Sequence, residues 1–296
     1  MLSLQMFPKD LQQTSYDLIN FISSNLPGDE KAVVGISGGL DSDIVARLTA
    51  KAVGTQRMKL FTVIQDDMDP AHIKNARNLA EELNIQLNEI DLVEFPVNFI
   101  KAMALADHQE NFRSDGLLDP SRAKCSLRTV IFSTYQDRGY VVVGTSNRTE
   151  YETGFFLPFG DGLAHIKPIM HLYKSQVMQL AKYMGTNDIV LHQPPSAGFW
   201  LGEEDLEDMA YWLYNRGPIG EEIEFNVNSE ADVSRIKSFL SIEKIDLTLL
   251  AISLNMDDES VANVSSFPID LVKRFRDLTQ AAQRKKHRKI GVHIAY

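Results

Sequence analysis

A single cysteine, Cys125, stands in the whole sequence. It excludes an internal disulfide and any zinc site made from several thiolates of one chain, and a reducing compartment follows. A lone cysteine is expected to act as an inert small hydrophobe. No stretch reaches the roughly 18 apolar residues of a membrane span, and the opening residues MLSLQMFPKDLQQ carry no basic segment followed by an apolar run. Neither insertion nor export is therefore expected, and the chain reads as cytoplasmic. Basic charge is scarce too: the formal net charge is -10, which argues against a broad nucleic-acid-binding face. The exception is the cluster Arg284, Lys285, Lys286, His287, Arg288 and Lys289, read as a solvated helix end or a local anion site. Internal repeats and low-complexity linkers are missing as well.

What is present is ordinary for a folded protein, with 44% hydrophobic and 24% charged residues over 296 positions. One main domain spanning residues 1–296 is expected. It comprises an N-terminal helix at 8–28, a nucleotide-binding core at 30–200 and a C-terminal extension at 201–296. From Asp10 to Leu26 the apolar residues recur at helical spacing until Pro27-Gly28. Ala32 to Ile36 is a short apolar run stopped by Ser37-Gly38-Gly39, and helical spacing returns from Asp41. The alternation continues with strands at Met58–Ile64, Ile85–Leu92 and Tyr140–Val143, and helices at Pro70–Leu83, Pro96–Ala106 and Ser126–Asp137. Further helices are predicted at Tyr173–Met184 and Ile269–Lys286, with a Pro/Ser/Gly loop at Gln193–Gly202. Strands alternating with helices imply an α/β fold, a doubly wound and mostly parallel sheet with helices on both faces. In such sheets ligands gather outside the carboxyl ends of the strands. Ser37–Ser42, Thr62–Asp69 and Gly144–Glu150 each lie there.

Gly38 and Gly39 let the backbone approach an anion closely, and the helix that follows aims its free N–H groups at the same spot. Ser37 and Ser42 add hydroxyl donors, which makes the turn a candidate pyrophosphate cradle. Asp41 would repel phosphate unless a cation lies between them, so Mg²⁺ dependence is expected. The bland alternative is a strand-to-helix turn with Asp41 capping the helix. No G-x-x-x-x-G-K-[ST] and no G-x-G-x-x-G occurs here, which disfavours both the kinase-type phosphate loop and a dehydrogenase-type dinucleotide site.

Gly35-Ile-Ser-Gly-Gly-Leu-Asp-Ser42 resembles the loop of the ATP pyrophosphatases that form adenylated intermediates. Val142-Val-Gly-Thr-Ser-Asn-Arg-Thr-Glu150, continuing through Gly154-Phe-Phe-Leu-Pro-Phe-Gly-Asp-Gly162, is more specifically similar to the ammonia-dependent NAD synthetases. Leu172-Tyr-Lys-Ser-Gln176, Pro194-Pro-Ser-Ala-Gly198 and Lys286-His-Arg288 add to the likeness, which runs from roughly residue 10 to residue 290. The resemblance implies an adenine nucleotide alpha hydrolase-like fold and a ligase using ATP and Mg²⁺. The nicotinate carboxylate of deamido-NAD attacks the α-phosphate of ATP, pyrophosphate leaves, and ammonia displaces AMP to give the amide. It implies that Gly35, Ile36, Ser37, Gly38, Gly39, Leu40, Asp41 and Ser42 cradle ATP, with Thr145, Lys174 and Ser196 in contact with it. Asp41 and Glu150 hold Mg²⁺, and Asp161 and Lys174 stand at the chemistry, Asp161 near incoming ammonia. Arg128, His165, His287 and Arg288 face the acid, and the enzyme is a homodimer.

The departures from the family pattern fall on the acid side. Pro158 stands where a lysine is usual, His165 where an aspartate is, and Lys124-Cys-Ser-Leu-Arg-Thr129 keeps one of two usual arginines, Arg128. A related ligase acting on another carboxylic acid is the first alternative, and a regulatory module that binds ATP without chemistry is the second. Phe155 and Phe156 are read as core packing rather than a stacking platform.

Overall fold

The computed structural model describes residues 2–65, 68–116, 118–196, 204–215 and 239–286. The chain opens with α1 (Pro8–Ser24), then β1 (Lys31–Gly35), α2 (Leu40–Val53), β2 (Met58–Ile64), α3 (Pro70–Glu82), β3 (Leu87–Asp91) and α4 (Phe95–Ala106). It continues through α5 (Leu118–Gln136), β4 (Tyr140–Val142), α6 (Arg148–Thr153), α7 (Lys174–Tyr183) and α8 (Asp188–His192). The last described helices are α9 (Asp205–Asn215), α10 (Ile242–Ser253), α11 (Asp258–Ser265) and α12 (Ile269–Lys286).

β1 lies inside the sheet because Ala32, Val33 and Val34 are apolar on both faces, and all three are fully buried. It pairs in parallel with β2 on one side and β4 on the other, and β2 pairs in parallel with β3, giving the order β3-β2-β1-β4. The chain first winds outward from β1 to β3, then returns through α5 to place β4 on the opposite side of β1. That reversal opens a crevice at the carboxyl ends of β1 and β4, where such sheets hold ligands. The expected doubly wound α/β architecture is therefore present. α5 begins eight positions before the Ser126 expected from apolar spacing, because its first turns, Leu118 to Cys125, include a proline and polar residues that weaken the pattern without breaking the helix.

One face of the sheet carries α1, α2 and α7 over a core that includes Ile22, Val34, Ile44, Leu48 and Leu60. The other face carries α5, whose Phe132 and Tyr135 pack on Phe61, Val33 and Val142. A second core joins Leu213, Leu249, Val272 and Phe275 from α9, α10 and α12. Burial of each such side chain stabilises by about 1.5–3 kcal/mol. This helical layer reaches the sheet domain by packing α10 on α7 and α12 on α6. No helix among the described residues is long and apolar enough to cross a membrane.

Candidate active site

The turn after β1 closes on itself through its serines. Ser42 Oγ donates to the Gly39 carbonyl at 3.0 Å and accepts from Ser37 N at 3.2 Å, while Gly39 N donates to Ser37 Oγ at 3.2 Å. Gly38 has φ +83°, and a Cβ there would lie 2.0 Å from the His72 carbonyl oxygen. Only glycine meets both demands. Gly38→Ala is therefore expected to destabilise the enzyme by about 2–3 kcal/mol or more, read as a lowered denaturant midpoint, and to lose nucleotide binding by calorimetry.

A relay of side chains on α3 and the loop after α8 fixes the same turn from behind. The carbonyl of Ser37 can only accept, so the contact at 3.2 Å makes His72 Nδ1 the protonated nitrogen. His72 Nε2 is then the acceptor for the Gln193 amide at 2.7 Å. Gln193 Oε1 in turn accepts from Asn75 Nδ2 at 2.7 Å, and Asn75 Nδ2 also reaches the Gly38 carbonyl at 3.3 Å. The Ser37 and Gly38 carbonyls of the turn are thus tied down.

Across the crevice, α6 starts with a capping box. Asn147 Oδ1 accepts from Glu150 N at 3.0 Å, and Glu150 Oε2 accepts from Asn147 N at 3.3 Å. The side-chain Asn147 Nδ2 donates to Glu150 Oε1 at 2.9 Å and to Asp41 Oδ1 at 3.2 Å. It draws the carboxylates of α2 and α6 together. Burial first, and the neighbouring Asp41 charge second, push the Glu150 carboxyl well above the usual carboxylate range, with Lys174 opposing them. Lys174 Nζ pairs with Asp41 Oδ2. Burial works to lower the Lys174 pKa, but Asp41, Asp205 and Glu150 together outweigh it, so the ammonium is held charged above its ordinary value.

The helix carrying Lys174 is anchored by groups the sequence did not single out. Thr149 Oγ1 accepts from Lys174 N at 2.9 Å and donates to Asp246 Oδ1 at 2.6 Å, while Asp246 Oδ2 accepts from Ser175 N at 2.7 Å. Burial pushes the Asp246 carboxyl up to about 6, against the lowering effect of these donors.

These parts line one cavity of about 340 Å³. Of the residues expected at the site, Gly35, Ile36, Ser37, Asp41, Ser42, Arg128, Thr145, Glu150, Asp161, Lys174 and Ser196 all border it. Gly39 and Leu40 face a smaller recess on the far side of the turn, beside Lys174 and Ser196. Arg128 has no carboxylate partner among the described residues. Asp161 Oδ1 accepts from Leu157 N at 2.9 Å and from the Cys125 thiol at 3.2 Å, so it shapes its own turn as well as facing the cavity. Cys125 is buried, and desolvation pushes its thiol up to about 12, which keeps it protonated and inert as expected.

His165 is not brought in. Its Nδ1 accepts the Val142 N–H at 2.9 Å, an unpaired strand-end donor that the ring satisfies, and it lies outside the cavity lining. His287 and Arg288 fall outside the described residues. Phe155 borders the cavity but meets Trp212 edge-on at 5.9 Å, and Phe156 stacks on Tyr151 at 6.0 Å. Both pack, as the sequence suggested. Asn147 was legible in principle, since Asn147-Arg-Thr-Glu150 has capping-box spacing; the His72, Asn75 and Gln193 relay spans positions too distant to be paired from sequence.

A divalent cation fits the two carboxylates that Asn147 holds together, since both supply hard oxygens and Glu150 gains from any added positive charge. No cluster of three or more His, Cys, Asp or Glu ligands occurs among the described residues. A site of two carboxylates completed by phosphate and water suits Mg²⁺ better than a cage built by protein alone.

Comparison with known proteins identifies the family of the chain. A family model described as NAD synthase matches residues 16–215. The chain is 34% identical over 203 residues to the NH(3)-dependent NAD(+) synthetase of Methanococcoides burtonii, covering 68% of this chain and 75% of that one. It is 28% identical over 265 residues to the enzyme of the same name from Pyrococcus horikoshii, covering 89% and 88%. Among solved structures it is similar to NMN synthetase from Francisella tularensis, with a TM-score of 0.70, 24% identity and coverage of 96% and 99%. It is also similar in fold to the NH3-dependent NAD synthetase of Campylobacter jejuni, with a TM-score of 0.68, 20% identity and coverage of 96% and 100%.

Proposed function

Because this chain belongs to the NAD synthase family, we propose that it converts deamido-NAD and ammonia to NAD, with ATP cleaved to AMP and pyrophosphate. The observation that carries the reading is the facing of a pinned glycine turn with Asp41, Glu150 and Lys174 across one cavity. A carboxylate resists ammonia because its carbon is electron-rich and oxide leaves poorly. In the first step a carboxylate oxygen of the acid bonds to the α-phosphorus of ATP, and the bond to the β-phosphate bridge breaks to release pyrophosphate. In the second step the nitrogen of ammonia bonds to the acyl carbon, AMP leaves with the former carboxylate oxygen, and the ammonium product of addition loses a proton.

Each role rests on residues already described. The turn from Ser37 to Ser42 orients the triphosphate at the positive end of α2. Lys174, held charged, offsets the negative charge that accumulates as pyrophosphate departs. Asp41 and Glu150 would hold Mg²⁺, whose chemistry when bound is to neutralise phosphate oxygens. Arg128, which borders the cavity, would pair with the acid, and Asp161, an acceptor on the same cavity, suits a position beside the incoming amine. Thr145 and Ser196 serve as further phosphate or ribose contacts. A homodimer is supported by exposed aromatic side chains: Phe95 and Phe99 of α4, at helical i,i+4 spacing, are 58% and 52% exposed, and Phe159, whose carbonyl meets Thr129 of α5, is 79% exposed.

A second acid of the same class is favoured by one observation. Pro158 cannot supply the charge of the usual lysine, and His165 is engaged with Val142. The test therefore offers the purified chain both deamido-NAD and the corresponding mononucleotide acid, with ATP, Mg²⁺ and ammonium, and follows amide, AMP and pyrophosphate by mass spectrometry. NAD formed one-for-one with AMP is expected; nucleotide binding with no pyrophosphate from either acid would end the reading. Arg128→Ala in the same assay is expected to raise KM for the acid about 30-fold, from the loss of a charge-assisted contact of about 2 kcal/mol, and to leave KM for ATP nearly unchanged. Equal changes in both would make Arg128 structural.

A further inference from the structure

The relay behind the phosphate turn admits one arrangement of its amides. Carbonyl oxygens accept and never donate, so the Ser37 and Gly38 carbonyls at its two ends fix every partner between them. The Gly38 carbonyl and Gln193 Oε1 both take Asn75 Nδ2, at 3.3 Å and 2.7 Å. Gln193 then has its NH₂ for His72 Nε2 at 2.7 Å, and that nitrogen has to present a lone pair. Nδ1 of the same ring donates to the Ser37 carbonyl at 3.2 Å. The network is complete only for a neutral His72. A second proton, on Nε2, would set two donors face to face. Turning the Gln193 amide over relieves that clash and sets its NH₂ against Asn75 Nδ2. Turning Asn75 over as well sets oxygen against oxygen at the Gly38 carbonyl. His72 and Asn75 are buried, and folded proteins avoid such mismatches where water cannot repair them.

The charges around the ring offer a second proton no partner. Asp41 of α2 and Lys174 of α7 share a recess with His72 and pair with each other. Asp69, at the start of α3, accepts from Ala71 N. Of the strands packed on α3, β2 carries Lys59, and β3 carries Glu89, which pairs with Arg77. His192, next to Gln193, meets the Asp188 carbonyl through Nδ1. No carboxylate among the described residues bonds to the His72 ring.

We infer that His72, Asn75 and Gln193 are positioning residues for the triphosphate, and that a proton on His72 opposes a nucleotide on the Ser37–Ser42 turn. A trans peptide points its N–H away from its carbonyl. The Ser37 and Gly38 carbonyls therefore set the direction of the Gly38 and Gly39 N–H groups, and with them the shape of the turn. The neutral ring holds that shape and the protonated ring releases it, so ATP affinity is full above the imidazole titration range and falls as pH descends through it. The inference rests on the nucleotide reading above and deepens it, by giving that site a proton-sensitive hold.

The test measures ATP binding to the full chain by calorimetry, with Mg²⁺ and without the acid, at about pH 8 and about pH 6, which bracket imidazole titration. His72→Asn keeps an N–H near the place of Nδ1 and takes up no proton, so its profile accounts for titration of the nucleotide itself. Relative to that variant, wild type is expected to lose about fivefold in affinity from the higher pH to the lower, the worth of one hydrogen bond. In Gln193→Glu a carboxylate accepts from Asn75 and from a protonated Nε2 at once, so this variant is expected to gain on wild type by about fivefold over the same interval. Gln193→Leu is expected to bind about fivefold more weakly than wild type at the higher pH. In both Gln193 variants KM for ATP changes and KM for the acid does not. Wild type and Gln193→Glu falling alike with pH, or wild-type ATP affinity in Gln193→Leu, overturns the inference while leaving the nucleotide reading intact. If His72→Asn does not fold, the comparison of wild type with Gln193→Glu decides alone. A wild type that binds no ATP at either pH overturns both.

Discussion

Asp41→Asn is expected to lower kcat by about 10³-fold while leaving the folded structure in place. The expectation follows from two contacts at one carboxylate and from its place in the chain. Asp41 accepts from Asn147 Nδ2, pairs with Lys174 Nζ, and lies in the first turn of α2 directly after the glycines. An amide keeps the shape and the capacity to accept from Asn147, so packing survives. It loses the charge that holds Lys174 and that would hold a divalent cation against the phosphates. Loss of one preorganised electrostatic group at a reacting centre typically costs about 10²–10³ in rate, and Asp41 serves two such purposes. Single-turnover measurement of pyrophosphate release checks this, with the far-ultraviolet circular dichroism spectrum as the folding control. Turnover within threefold of wild type would remove Asp41 from the chemistry.

Glu150→Gln is expected to do something less intuitive: to raise the melting temperature of the ligand-free enzyme while abolishing its dependence on Mg²⁺ and nearly all of its turnover. Burial, followed by Asp41, raises the folded-state pKa of Glu150 above its unfolded value. The native state therefore binds this proton more tightly than the unfolded chain does. Its contribution favours the native state in full below the unfolded pKa and is lost as pH rises through the folded one. At pH 8, above the unfolded value, this raised pKa costs the ligand-free fold stability. Glutamine removes the charge and can still accept from Asn147 at the helix cap. A gain of about 1 kcal/mol would appear as about 2–4 °C at this chain length, larger at pH 8 than at pH 5. A melting temperature that falls equally at both values would show that the capping box, not the charge, dominates. Stability traded for function in this way is common where like charges are gathered to bind a cation.

The sheet order and the turn were legible because their signals are local. Val33 and Val34 run into Ser37-Gly38-Gly39, and few structures other than a buried parallel strand feeding a helix accept that pattern. The carboxylates Asp41 and Glu150 could be read from motif likeness, and the structure brings them to one amide. Three things stayed hidden for physical reasons. The start of α5 was obscured because Asp119, Pro120 and Ser121 interrupt its apolar spacing, while the proline in the first turn costs the helix no hydrogen bond it would otherwise make. The histidine relay depends on Gln193 reaching His72 across 121 positions, a distance no periodicity reports. His165 was placed beside the acid by motif likeness, whereas a strand-end N–H at Val142 claims its ring. Such claims by stray backbone donors follow from the need to satisfy every buried polar group, and composition cannot foresee them.

Asp246 carries a consequence for how this enzyme tolerates change. It belongs to α10, beyond the matched residues 16–215, yet through Thr149 and Ser175 it fastens the starts of the two helices that present Glu150 and Lys174. The segment matched by the family model is thus incomplete by itself. A shortened version ending at residue 215, where the family model ends, would keep Asp41, Glu150 and Lys174 and lose the clamp that aims two of them, so catalytic competence belongs to a longer stretch of chain than that model marks out.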